Sequence, residues 1–288
     1  MSETLPAATF VGPVELTVRD LDRSLAFYTQ RIGLERLPGS DLGPTTLGAA
    51  GLPLLSLVEN PEARTVRGTT GLFHFAILVP TRRDLGVVLS RFAATGTRLS
   101  GAADHGVSEA LYLSDPEGNG IEIYRDRAAE VWPRAGGKLA MFTEALDLEA
   151  LLEEGSEAPP SPTLPAGTIM GHVHLHVRYL DEAERFYVGV LGFEEMQRYG
   201  PSALFVSAGG YHHRVGLNTW QGEGAPAPPS DATGLTHFVI RLPDRQALDR
   251  VGQRLEAAGV PSEEQGQGLF TRDPSGNGMR FEVADAKI

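Results

Sequence analysis

Apolar and polar residues alternate along four stretches of the chain, residues 12–18, 73–79, 171–177 and 236–242. Each stretch runs into a segment whose apolar residues recur every three to four positions. The first pattern is that of a strand with distinct faces, the second that of an amphipathic helix. Helices are predicted over 20–32, 84–94, 180–190 and 245–258, stopped by Gly33, Gly96, Gly192 and Gly259 just past their ends. Short strand-like runs follow every helix, at 46–47 and 54–58, 110–113 and 121–124, 203–207 and 214–217, and 268–272 and 279–283. The chain is therefore one strand-helix unit written four times, and an internal repeat of this kind fixes the architecture before any other feature.

Loops at 60–71 and 221–234 join the units in pairs, and a longer connection separates the pairs. That connection holds a predicted helix over 142–154, whose Asp147, Glu149, Glu153 and Glu154 read as a solvated face. A Pro-rich stretch at 158–165 marks a boundary. The predicted organisation is a first half over 8–127 (modules 8–60 and 71–127), a linker over 128–167, and a second half over 168–285 (modules 168–221 and 234–285).

Composition narrows the function. The 288 residues, 41% of them hydrophobic, suffice for two domains with real cores. A formal charge of -12 argues against nucleic acid or an anionic membrane as partner and leaves small molecules. No apolar run approaches the roughly 20 residues of a membrane helix, and Pro6 interrupts any signal-peptide pattern at the N-terminus, so a cytoplasmic location is expected. With no cysteine, any metal must be held by His and carboxylates.

Comparing the four copies shows where that chemistry concentrates. Three of the eight histidines, His172, His174 and His176, share one strand face opposite Val173, Leu175 and Val177. The apolar set is expected to pack beneath the helix and the His set to line an open face. A lone strand His is more often an ordinary satisfied side chain than a ligand; three on one face shift that balance. His172 lies fourteen residues before Phe186 and Pro13 fourteen before Phe27, so copy three offers a donor where copy one has none. Copies two and four carry His74 and His237. Their closing strands follow matching turns at 115–120 and 273–278, and two residues past the last glycine stand Glu122 and Arg280. A guanidinium has no lone pair to give a cation. Glu282, one pleat further on, could serve only if the strand shifted. Tyr112 in copy two is replaced by Phe270 in copy four, and His105 has no counterpart there. His212 and His213 mark the hairpin of copy three, whereas residues 51–57 of copy one carry no polar side chain but Ser56. Ligand-type residues therefore gather in copies two and three.

These residues, the Phe-Tyr pairs at 27–28 and 186–187, the Leu-Gly-Phe at 191–193 and the two Asp-Pro-x-Gly-Asn-Gly turns resemble the vicinal oxygen chelate superfamily. That group includes glyoxalase I, fosfomycin and bleomycin resistance proteins and type I extradiol dioxygenases. The resemblance implies an α+β fold of four βαβββ modules forming two curved, barrel-like sheets with helices outside. Residues 209–218 and 105–113 resemble catechol-2,3-dioxygenase-type members in particular. By that resemblance the chain would be a non-haem Fe(II) extradiol enzyme acting on a small aromatic diol, catechol or a substituted catechol, with O2. Mn(II) is the alternative metal, and another divalent ion could occupy the site as purified. The ligands implied are His74, Glu122 and His172. His213 matches the acid-base His, with His212 the second choice, and His105 and Tyr112 match a supporting His and Tyr. A homo-oligomer, dimer or tetramer, is implied as well. One departure stands out: ordinary two-domain extradiol enzymes draw their ligands from modules three and four, but Arg280 occupies the Glu position of module four. The site is instead expected across modules two and three, within one chain or by exchange between subunits.

Two rivals have distinguishing marks. A glyoxalase-like lyase or isomerase adds a second carboxylate from the hairpin strand, where copy three has Gly216. A non-catalytic, resistance-type binding protein commonly lacks the metal ligands.

Overall fold

The computed structural model describes residues 4–39, 43–156, 158 and 161–284. Each repeat is one βαβββ module. The first comprises β1 (Phe10–Val18), α1 (Leu21–Phe27), β2 (Glu35–Arg36), β3 (Thr45–Ala49) and β4 (Leu52–Glu59); the second, β5 (Gly71–Leu78), α2 (Arg82–Thr95), β6 (Gly101–Asp104), β7 (Ser108–Ser114) and β8 (Gly120–Asp126). The connection carries β9 (Arg134–Ala135), β10 (Lys138–Leu139), β11 (Glu144–Ala145) and α3 (Leu148–Ser156). The third module has β12 (Ile169–His176), α4 (Leu180–Glu184), β13 (Glu194–Tyr199), β14 (Ala203–Ser207) and β15 (Val215–Asn218); the fourth, β16 (Gly234–Leu242), α5 (Arg245–Ala257), β17 (Ser262–Gln265), β18 (Gly268–Arg272) and β19 (Gly278–Val283). Strands β2, β13 and β17 escape the sequence pattern because they are sheet edges of polar composition, with no apolar face to give an alternation.

By contact the chain forms two compact units, one of residues Leu16–Ala63 and His74–Gly171, the other of the described residues up to Glu15, Arg64–Phe73 and those from His172 onward. The first unit contains the strand runs β4-β3-β2 and β11-β6-β7-β8-β5, with β5 and β8 parallel. The second contains β12-β15-β14-β13 and β17-β18-β19-β16, with β12 parallel to β15 and β16 parallel to β19.

The repeated motifs tie modules together within each unit. Helices α1 and α4 continue as π-helical turns, Tyr28–Ile32 and Arg185–Leu191, which end at Gly33 and Gly192 with φ of 89° and 87°. The tyrosine of each Phe-Tyr pair is fully buried and its hydroxyl donates to the aspartate of the other module's Asp-Pro turn: Tyr28 to Asp115 at 2.7 Å and Tyr187 to Asp273 at 3.1 Å. Each aspartate also accepts two backbone N–H groups and the Asn side chain of its own turn. These shared motifs therefore serve the scaffold.

Two expectations for the connection are corrected. The predicted helix over 142–154 begins only at Leu148, because Glu144 and Ala145 pair with the edge of β6 and so cannot close helical turns. Of its four acids, Asp147 caps α3 by accepting the Ala150 N–H at 3.0 Å, and Glu154 pairs with Arg82 at 2.6 Å. Asp147, Glu149 and Glu153 are exposed as expected, and Glu154 alone departs from the solvated face. Helix α3 lies directly on α2: a Cβ on Gly155 would meet Gly86 backbone at 2.3 Å, so glycines alone permit the approach. The predicted Pro-rich stretch lies partly outside the described residues.

Candidate metal centre

Strand β5 carries His74 and the parallel β8 carries Glu122, and His74 Nε2 lies 3.0 Å from Glu122 Oε2 with both side chains buried. Tyr112 on β7 stands opposite Glu122 in the antiparallel register, its ring 5.7 Å from that of His74. His105 sits just before β7, with Nδ1 2.9 Å from the Phe142 carbonyl and Nε2 2.7 Å from the Tyr112 hydroxyl. A carbonyl only accepts, so Nδ1 carries a hydrogen toward Phe142, and the Tyr112 hydroxyl at Nε2 also hydrogen-bonds the Glu122 carboxylate. Burial, and then the charge of Glu122, push the Tyr112 phenol well above the usual tyrosine range. Tyr112 therefore stays a donor.

The third module presents its histidines on β12 and beyond β14. Gly171 lies so close to Tyr124 that a Cβ would come within 1.8 Å of the phenol oxygen, and His172 follows it. The His172 ring packs 4.1 Å from His213, and His213 and His212 share a hydrogen between their Nδ1 atoms, 2.8 Å apart. That contact fixes the orientation of both rings. The His face of β12 is not open as expected: His172, His174 and His176 are all buried, because aromatic side chains and the third-module hairpin cover them.

One ligand atom from each of His74, Glu122 and His172 lies within 4.8 Å of the other two. Two imidazoles and one carboxylate are a donor set suited to a first-row divalent ion. A carboxylate only 3% exposed also demands positive charge nearby, which a cation would supply.

The fourth module holds the same positions with other chemistry. Arg280 pairs in register with Phe270 and Val239, as Glu122 does with Tyr112 and Ala76, so it occupies the place of the glutamate. Glu282 is bound to Arg241 at 2.9 Å and Arg280 at 2.7 Å and serves these guanidiniums. His237 lies 3.5 Å from Glu15, and its pKa is lowered to about 4 by burial and by Arg280 and Arg272. Burial raises the Glu15 carboxyl, opposed by Arg280.

The sequence pattern left three aromatic residues without a role: Phe73, Phe205 and Trp220, whose rings adjoin His174 at 5.1, 5.6 and 5.3 Å. Trp220, one of only two tryptophans and just past a strand, was the available signal. Gly216 stands opposite His174 in register, and a Cβ there would lie 2.8 Å from the imidazole. No carboxylate fits at that position.

A family model described as the Glyoxalase/Bleomycin resistance protein/Dioxygenase superfamily matches residues 11–123 and 169–281. The chain is 47% identical over 270 residues to a catechol-2,3-dioxygenase of Bacillus subtilis (strain 168), an alignment covering 92% of this chain and 94% of that one. It is similar in structure to glyoxalase I from Zea mays, with a TM-score of 0.58 at 16% identity over 95% of this chain and 92% of that one. It is also similar to the cppA protein of Streptococcus pneumoniae TIGR4, with a TM-score of 0.59 at 14% identity over 96% of this chain and 99% of the other. At such identities the structural likeness shows the fold.

Proposed function

The chain belongs to the Glyoxalase/Bleomycin resistance protein/Dioxygenase superfamily, and from that premise we propose that it is a metal-dependent extradiol dioxygenase opening the ring of catechol or a substituted catechol with O2. The observation that carries this reading is the buried set His74, Glu122 and His172, whose ligand atoms converge within 4.8 Å, in a chain 47% identical to a catechol-2,3-dioxygenase. When bound there, Fe(II), or Mn(II) in its place, would supply Lewis acidity toward the diol oxygens and a path for electrons from the diol to O2.

The protein's own groups do the rest. His213, beside His172 and oriented through its Nδ1 contact with His212, exchanges a proton with the substrate at its Nε2. Tyr112, kept protonated by burial, hydrogen-bonds both His105 and Glu122, and this group of residues holds the polar wall next to the metal ligands. Burial of the histidines on β12 keeps water from competing with the diol. The absence of room for a carboxylate at Gly216 disfavours a glyoxalase-like lyase or isomerase, and the buried triad disfavours a non-catalytic binder. A cytoplasmic location and a homo-oligomer, dimer or tetramer, with neither nucleic acid nor membrane as partner, complete the reading. Among the described residues no helix is long and apolar enough to cross a membrane.

The test is to mix Fe(II)-loaded protein with catechol without oxygen and then admit it. A yellow ring-opened semialdehyde forming in step with oxygen uptake is expected. No product from catechol and several substituted catechols, in protein shown to hold its iron, would overturn the reading.

A further inference from the structure

A continuous wall of aromatic rings leads from His172 to the surface of the unit that contains it. The His213 ring, 4.1 Å from His172, lies 4.9 Å from Phe205, and Phe205 lies 5.6 Å from His174. His174 in turn meets Trp220 at 5.3 Å and Phe73 edge-on at 5.1 Å, and Phe73 meets Trp220 edge-on at 5.2 Å. The last two rings are the exposed end, with 36% of Phe73 and 48% of Trp220 open to solvent. Trp220 is nevertheless held in place: its Nε1 donates to Ser202 Oγ at 3.2 Å and its backbone N–H to Asn218 Oδ1 at 3.0 Å. Ordered aromatic surface joined to a polar interior is how a protein receives a ligand with an apolar end and a polar end. None of Phe73, His174, Phe205 and Trp220 carries a fixed charge. A carboxylate brought against them would lose water without gaining a guanidinium or ammonium partner.

We propose that Phe73, His174 and Trp220 form the subsite for the catechol's substituent, and that the preferred substrates carry a flat apolar substituent, aryl before alkyl, and not a carboxylate. The proposal rests on the ring-cleavage reading for the position of the diol at His172, and deepens it by naming the substrate class. An aryl substituent gains edge and face contacts with these rings that unsubstituted catechol cannot make.

Two measurements test it. In oxygen-uptake assays, kcat/KM for 3-phenylcatechol is expected to exceed that for 3,4-dihydroxybenzoate by at least about 10-fold, and Trp220→Ala or Phe73→Ala to lower the phenylcatechol-to-catechol ratio by about 10-fold. A preference for the carboxylate, or an unchanged ratio in both variants, overturns the proposal. In a Trp132→Phe background Trp220 is the remaining tryptophan, and 3-phenylcatechol is expected to quench its fluorescence saturably without metal or oxygen, with 3,4-dihydroxybenzoate inert at the same concentration. Quenching without oxygen uptake leaves the subsite standing and sinks the ring-cleavage reading. Oxygen uptake without discrimination or quenching sinks the subsite alone.

Discussion

His74 Nε2 lies 3.0 Å from Glu122 Oε2, on neighbouring parallel strands, and the corresponding positions of the fourth module hold His237 and Arg280. The repeat thus contains one pair that can give electrons to a cation and one in which a cation is already part of the protein. Replacing His74, Glu122 or His172 by Ala should weaken divalent-metal binding at least as much as the roughly 10–100-fold that follows loss of an outer partner of a metal ligand. His237→Ala and Glu282→Gln should leave the metal content of dialysed protein unchanged. The opposite pattern in elemental analysis would move the centre to module four.

Glu109 is also a buried acid, 4% exposed, and it meets Arg82 at 2.9 Å, Arg125 at 2.6 Å and Arg127 at 3.1 Å. Removing the central anion leaves three guanidiniums facing each other, so Glu109→Ala should destabilise by about 3 kcal/mol, the low end for a broken buried pair because the arginines keep some solvent. Urea unfolding of the two proteins gives the number. A loss under about 1 kcal/mol would show that Asp104 and Glu154, already bound to Arg127 and Arg82, suffice as counter-ions.

Stability should fall as pH drops from 6.5 to about 4, because over that window the unfolded chain protonates His237 while the folded chain keeps it neutral. The loss is complete below the folded pKa and amounts to at most about 3 kcal/mol. Glu15, with its carboxyl raised by burial, acts in the opposite sense: the folded chain holds its proton longer, and that contribution disappears as pH rises through its folded pKa. Thermal unfolding of wild type and His237→Phe across this range separates the two. An identical pH slope in both proteins would assign the loss to other groups.

Much of the fold was legible because its signals are local. Alternation at 73–79 and 171–177, the i, i+3, i+4 spacing before Gly33 and Gly192, and the repeated Asp-Pro turns depend only on near neighbours in the chain. The helix over 142–154 failed for the complementary reason. Its pattern suits a helix, but Glu144 and Ala145 found backbone partners on β6, and Phe142 gave its carbonyl to His105. No local periodicity reports a distant hydrogen-bond partner.

The sequence by itself determined the four modules and which of them could offer electron pairs to a metal, since Arg280 and Pro13 cannot do so in any conformation. Only the tertiary structure decided which of those donors approach one another, that the His face of β12 is covered, and that Phe73 and Trp220 end a wall of rings beginning at His172. The physical reason is that a strand's two-residue period tells which side chains share a face but not what lies against it. That depends on contacts between residues far apart in the chain, which form only when the whole fold buries its apolar surface.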